Sequence, residues 1–197
     1  MWWIGVAALA ADVFEEEESR GLLRVEPEVE TEAPTVVLRG GTVLTAAGQR
    51  YDEGYVVLVD GRISAIGEGP APDVAGATVV DVSGKVITPG IIDTHSHLGV
   101  YPAPGAAAHE DGNEATAPTT PGVWAEHSIW PQDPGFELAV AGGVTAMQIL
   151  PGSANLIGGR GVVVQAVPAR GGRAMRFPRA PEAVEMAWGQ DPKAVYG

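Results

Sequence analysis

Between residues 36 and 88 six apolar runs follow one another, at 36–39, 42–45, 55–60, 62–66, 78–81 and 85–88, each four to six residues long and bounded by Gly, Pro or Asp. Runs of that length, rich in Val, Ile and Thr, read as strands, because a helix needs a longer periodic stretch. Asp60-Gly61 between two of them is a type I′ hairpin signal, since both central turn positions need positive φ. The expectation is a small antiparallel β module of roughly 50 residues. It carries no catalytic motif and reads as structural.

The character changes at Pro89. Pro89-Gly90-Ile91-Ile92-Asp93-Thr94-His95-Ser96-His97-Leu98-Gly99 begins as a strongly apolar strand, expected to be buried, and ends in polar residues. Side chains alternate faces along a strand, so Asp93, His95 and His97 project to one side. Two imidazoles at i and i+2 can reach one metal ion, and neutral His is a common ligand for zinc and similar ions. A His-x-His pair is weak alone; at the C-terminal end of a strand, where α/β barrels place their chemistry, it gains weight.

The N-terminal segment has a different composition. Nine acids against Arg20 and Arg24 between Asp12 and Glu32 supply −7 of the net charge of −13. Such a stretch buries too little apolar surface to offset its chain entropy and reads as a solvated leader or linker. Before it, an apolar run ends in Ala8-Leu9-Ala10, resembling the end of a secretory signal. It is shorter than a membrane span and lacks Lys or Arg, so either the true start lies upstream or this is an apolar patch. Export is weakly favoured over a cytoplasmic location. The acidic balance argues against nucleic-acid binding, and the absence of Cys excludes a disulfide scaffold, a thiolate zinc site and a cysteine nucleophile.

Beyond the histidine pair, residues 102–122 form a Pro/Ala/Gly/Thr-rich loop containing His109, Glu110, Asp111 and Glu114, either a functional lid or a disordered insertion. His109 and His127 are candidate substrate contacts. Asp133 reads as an N-cap with Pro134 at the first helical position, Phe136, Leu138, Ala139 and Val140 as an apolar stripe, and Gly142-Gly143 as the stop. Residues 144–150 then read as a buried strand. Residues 151–161 are Gly-rich but match no phosphate-binding fingerprint, and read as a tight loop. Five arginines from Arg160 to Arg179, with no acid between, read as a solvated basic loop; the alternative is that they, Arg160 among them, hold a substrate carboxylate or phosphate.

Taken together, Val37-Leu38-Arg39-Gly40-Gly41-Thr42-Val43-Leu44-Thr45, Asp60-Gly61-Arg62-Ile63-Ser64-Ala65-Ile66-Gly67 and the run from Gly84 to His97 resemble the metal-dependent amidohydrolase superfamily, in particular its imidazolonepropionase-like and dihydroorotase-like members. The likeness runs from about Val36 onward and is most specific from Pro89 to His97. It implies an α/β fold in which part of a small β-sandwich precedes an incomplete (β/α)8 TIM-like barrel. It also implies one or two divalent metals, zinc foremost, hydrolysis of C–N bonds in a small-molecule substrate, and metal-ligand roles for His95 and His97. The division it suggests is a leader over 1–34, the sandwich part over 35–88 and the first barrel strands and helices over 89–197.

Residues 181–197 are similar to a Lys-Met-Ala-x-Gly-Glu-Asn-Pro-Lys-x-Val-Tyr-Gly stretch of one amidohydrolase group, with Glu185 where that group has Lys. As a strand, this segment would set Ala183, Glu185 and Ala187 on one face and Val184, Met186 and Trp188 on the other; as a helix, Glu185 would sit on its wet side. On the strand reading Glu185 is the third metal ligand. The family's later histidines and its acid/base Asp have no counterpart before Gly197. The expectation is therefore a truncated or split form, inactive alone and completed by a C-terminal chain or by a second copy. A non-catalytic metal-binding remnant and an exported acidic interaction protein are the alternatives.

Overall fold

The computed structural model describes residues 34–109 and 112–197, so the acidic leader and the signal-like run lie outside the described residues, as do Glu110 and Asp111. The described chain divides into two compact units between Gly90 and Ile91.

The first unit is a sandwich-like five-stranded sheet of β1 (Val36–Leu44), β2 (Arg50–Val59), β3 (Arg62–Glu68), β4 (Thr78–Asp81) and β5 (Val86–Ile87), in the order β3-β2-β1-β4 with β5 also beside β1. Asp60 and Gly61 take φ of 49° and 71°, as the type I′ turn requires, and join β2 to β3. Val43, Val56 and Leu58 form a buried cluster, with Val36, Leu38, Tyr51 and Ile87 packed against it. Two expectations are corrected. The sheet is mixed, because β4 and β5 pair with β1 in parallel; residues 69–77 return the chain across the sheet, which no hairpin can do. The runs at 36–39 and 42–45 are one strand, bulged where Arg39, Gly41 and Val43 face β2.

Gly40 makes that bulge feasible. Its φ is +81°, and a Cβ there would stand 2.6 Å from the Ser83 hydroxyl oxygen. Gly40→Ala is expected to lower stability by about 1–2 kcal/mol, through the left-handed backbone and the displaced Ser83. Urea unfolding of the two proteins measures it; equal midpoints would show that the bulge relaxes freely.

The second unit holds β6 (Ile91–Ser96), α1 (Pro134–Ala141), β7 (Val144–Ile149), β8 (Arg160–Gln165), β9 (Ala183–Val184) and α2 (Gln190–Tyr196), with the sheet order β6-β7-β8-β9. Its core centres on Met147, Ile149, Val164 and Met175, all fully buried, with Val100 and Phe136 in the same cluster. The helix α1 starts as expected, with the Asp133 carboxylate accepting from Gly135 N at 2.8 Å and Pro134 next in line. It stops at Gly142, followed by Gly143 at φ +92°. Phe136 is buried and Ala139 and Val140 pack on the core, whereas Leu138 is 71% exposed and falls outside the stripe.

Here too the structure departs from expectation. The start of β6, an edge strand, is not buried: Ile91 and Ile92 are 55% and 65% exposed. The β6–β7 pair is parallel, but β8 runs antiparallel to β7 and β9 antiparallel to β8. A helix-linked alternation therefore does not continue past β7. The first part of the supposed basic loop is the buried strand β8. No helix among the described residues is long and apolar enough to cross a membrane.

Candidate functional site

His95 is the penultimate residue of β6 and His97 the first residue after it, with their ring centroids 5.2 Å apart and nearly perpendicular. The alternation expected from the strand thus does put both imidazoles on one side. The Asp93 carboxylate is turned back on the strand, accepting from His95 N at 3.1 Å. Nδ1 of His97 lies 2.9 Å from the carbonyl oxygen of Leu150. A carbonyl only accepts, so the Nδ1 that meets it carries a proton. That is the arrangement in which a backbone carbonyl orients a metal-ligating histidine.

The segment after Leu150 meets Glu185 and residues 112–120. Gly152 N donates to Gly112 O at 2.6 Å, and Ala154 N donates to Asn113 Oδ1 at 3.2 Å. Ser153 Oγ donates to Glu185 Oε1 at 3.2 Å. Asn155, 3% exposed, donates through Nδ2 to Glu114 O at 2.7 Å and to Thr120 Oγ1 at 2.6 Å. The 102–122 segment is accordingly tied down through Asn113, Glu114 and Thr120.

Glu185 lies just past β9 in extended backbone. Residues 183, 185 and 187 point inward while Val184, Met186 and Trp188 are exposed, so the alternation is that of a strand and the helix reading is set aside. Glu185 is 6% exposed. Among the described residues, however, no three His, Cys, Asp or Glu side chains come close enough together to hold a metal ion, and Glu185 is not gathered with the histidine pair into such a group.

The substrate-contact candidates are scattered. His109 is exposed with its ring 5.0 Å from that of Trp130, and His127 is exposed in a short 3-10 turn. Arg160 is engaged locally, pairing with Glu182 at 3.2 Å, donating to Pro121 O at 3.0 Å and lying over the Trp124 ring. Sequence reasoning missed Tyr101. Its ring stands 5.7 Å from that of His97 and at 85° to it, its hydroxyl accepts from Asn113 Nδ2 at 2.5 Å, and burial pushes that hydroxyl above its ordinary pKa. Its only sequence signal was proximity, four residues past His97.

No family model matches the chain. Individual relatives do. Amidohydrolase tasK of Hapsidospora irregularis is 36% identical over 156 residues, covering 74% of this chain and 15% of the relative. The crystal structure of an amidohydrolase from Thermotoga maritima MSB8 superposes with a TM-score of 0.73 at 37% identity, covering 82% of this chain and 41% of that one. The chain belongs to the amidohydrolase superfamily. A dihydroorotase of Pelotomaculum thermopropionicum is 29% identical over 136 residues, 69% of this chain and 26% of its own length. The chain therefore spans less than half of each of these relatives.

The superfamily is metal-dependent, and the histidine pair can be tested against that requirement. An imidazole bound at about 2.1 Å has its ring centroid about 3.2 Å from the ion, so two at a tetrahedral angle stand about 5.2 Å apart. The observed separation matches. With Nδ1 of His97 held by Leu150, the pair fits two positions of a divalent centre, one short of the three protein ligands of a catalytic zinc site.

Proposed function

We propose that this chain forms the N-terminal portion of a metal-dependent amidohydrolase that hydrolyses C–N bonds of small molecules. The observation that carries the reading is the His95–His97 pair, spaced for one ion and oriented by the Leu150 carbonyl. In this reading residues 35–88 are the sandwich part, and β6, β7 and β9, which run the same way, begin an incomplete (β/α)8 barrel with β8 inserted between them. The leader over residues 1–34 precedes both in the sequence.

His95 and His97 are the first two donors for a divalent ion, zinc foremost, and Glu185 the carboxylate donor. When bound, such an ion supplies a water whose pKa is lowered toward about 7. The chain's own contributions are to hold the two imidazoles, to keep Glu185 in reach of Ser153, and to present the exposed His109 and His127 toward substrate. Arg160 is a weaker candidate, being already paired. In this reading the proton donor to the leaving nitrogen and the remaining ligands come from a complementary chain or a second copy, since the chain spans only 15% and 41% of the two relatives above. Exposed apolar side chains agree with that, including Val86 at 61%, Leu138 at 71% and Trp188 at 81%.

Titrating the chain with Co²⁺ and following its visible absorption tests the site. His95→Ala and His97→Ala should each weaken binding about 100-fold or more, and Glu185→Gln about tenfold. Equal uptake by the wild type and both histidine variants would make the pair incidental; unchanged affinity in Glu185→Gln would remove Glu185 from the ligand set. Metal-dependent amide hydrolysis by the chain alone, with cooperative unfolding, would overturn the need for a completing polypeptide.

A further inference from the structure

Three separate segments meet at one aromatic ring, that of Tyr101. It stands edge to face against His97 at 5.7 Å. A methyl group at Gly112 would run into this ring, and one at Gly152 would meet its hydroxyl and the Asn113 side chain. The two glycines are themselves bonded, Gly152 N to Gly112 O at 2.6 Å. Asn113 closes the arrangement, donating to the Tyr101 hydroxyl at 2.5 Å and accepting from Ala154 N at 3.2 Å. The ring is thus seated between two backbones that only glycine allows to approach so closely, and it is held at its far end by an amide with its own backbone anchor.

A single hydrogen bond from Nδ1 to Leu150 does not by itself fix an imidazole, because the ring can turn about its Cβ–Cγ bond and give that bond up. A seated aromatic ring against its side removes this freedom. Resting on the metal-donor reading above, we infer that Tyr101 is a positioning residue for the His97 imidazole, and that its hydroxyl, held by Asn113, couples Asn113 and the backbone at Ala154 to the orientation of that imidazole. Tyr101 acts through His97 and makes no bond to the ion. Asn113 acts through Tyr101.

Tyr101→Phe keeps the ring and removes the Asn113 bond, Asn113→Ala removes the same bond from the other side, and Tyr101→Ala removes the ring. All three are compared with the full chain by nitrogen-15 spectra of the imidazoles without metal and by Co²⁺ titration. Unaltered circular dichroism in Tyr101→Phe separates positioning from misfolding. In the wild type His97 should be a single tautomer protonated at Nδ1, whereas Tyr101→Phe and Asn113→Ala should show mixed tautomers. Their Co²⁺ affinity should fall about 3–10-fold, and that of Tyr101→Ala about 10–100-fold. Adding Tyr101→Phe to Asn113→Ala should cost nothing further, because the Tyr101–Asn113 bond is already gone, whereas adding Asn113→Ala to Tyr101→Phe also removes the bond from Ala154 N.

An unchanged His97 tautomer in Tyr101→Phe and Tyr101→Ala overturns the inference, whatever the metal does. A wild type that takes up no Co²⁺ but whose His97 loses its single tautomer in the variants upholds Tyr101 and removes the metal reading instead.

Discussion

Asp133→Ala is expected to destabilise the second unit by about 3–5 kcal/mol, well beyond the loss of a helix cap. Asp133 is 1% exposed, and its carboxylate accepts from three backbone N–H groups: Gly135 at 2.8 Å, Ala103 at 3.1 Å and, through Oδ2, Gly99 at 2.9 Å. The first caps α1. The other two hold the turn that leaves the histidine pair, so alanine orphans donors in two places at once. Asp133→Asn keeps the oxygen that serves Gly135 and Ala103 but sets an amide against Gly99 N, and should cost about 2 kcal/mol. Urea unfolding measures both; a cost below about 1 kcal/mol for alanine would show that water replaces the carboxylate at all three donors.

Asp133 also shows how far the sequence could be read. Its cap role follows from Asp-Pro before an apolar stretch, which is local chemistry. The bonds to Gly99 and Ala103 join positions 34 and 30 residues apart and leave no local mark. The same division runs through the chain. The Asp60-Gly61 turn, the helix α1 and the shared face of His95 and His97 all follow from short-range pattern. The parallel pairing of β4 with β1 does not, because a partner strand is chosen by tertiary packing.

The strand β8 is a different case. Gly161-Val162-Val163-Val164-Gln165 has the β-branched density of a buried strand. The arginines around it drew attention to charge, although Arg160 sits at the strand's first position and its charge is met by Glu182. At the site, the spacing of the histidine pair was legible because it depends on the pleat alone. The support around it was not: the Leu150 carbonyl reaches His97 only once β7 lies beside β6, and Asn113 reaches Tyr101 only through the fold of the segment between them.

Asn155→Asp should be more damaging than Asn155→Ala, a reversal of what shape alone suggests. Asn155 Nδ2 donates to Glu114 O and Thr120 Oγ1, its Oδ1 accepts from the Tyr196 hydroxyl at 2.9 Å, and its backbone carbonyl accepts from Ala187 N at 3.1 Å. Alanine removes the side-chain bonds and strands their partners, a loss of about 2–4 kcal/mol. Aspartate keeps the acceptor for Tyr196 but replaces the donor with a second oxygen facing the Glu114 carbonyl, inside a site that is 3% exposed. A buried carboxylate against an acceptor costs more than a missing one, so about 3–5 kcal/mol is expected at neutral pH. Burial favours the protonated form of the introduced group, which is then a donor again. The folded variant therefore binds its proton more tightly than the unfolded one, and its deficit should shrink as pH falls and grow as pH rises. Urea unfolding across that range, with amide exchange over residues 114–123, reads both effects. An aspartate variant no less stable than the alanine one at neutral pH would mean that the Glu114 and Thr120 contacts are solvated and do not tie the loop to β7.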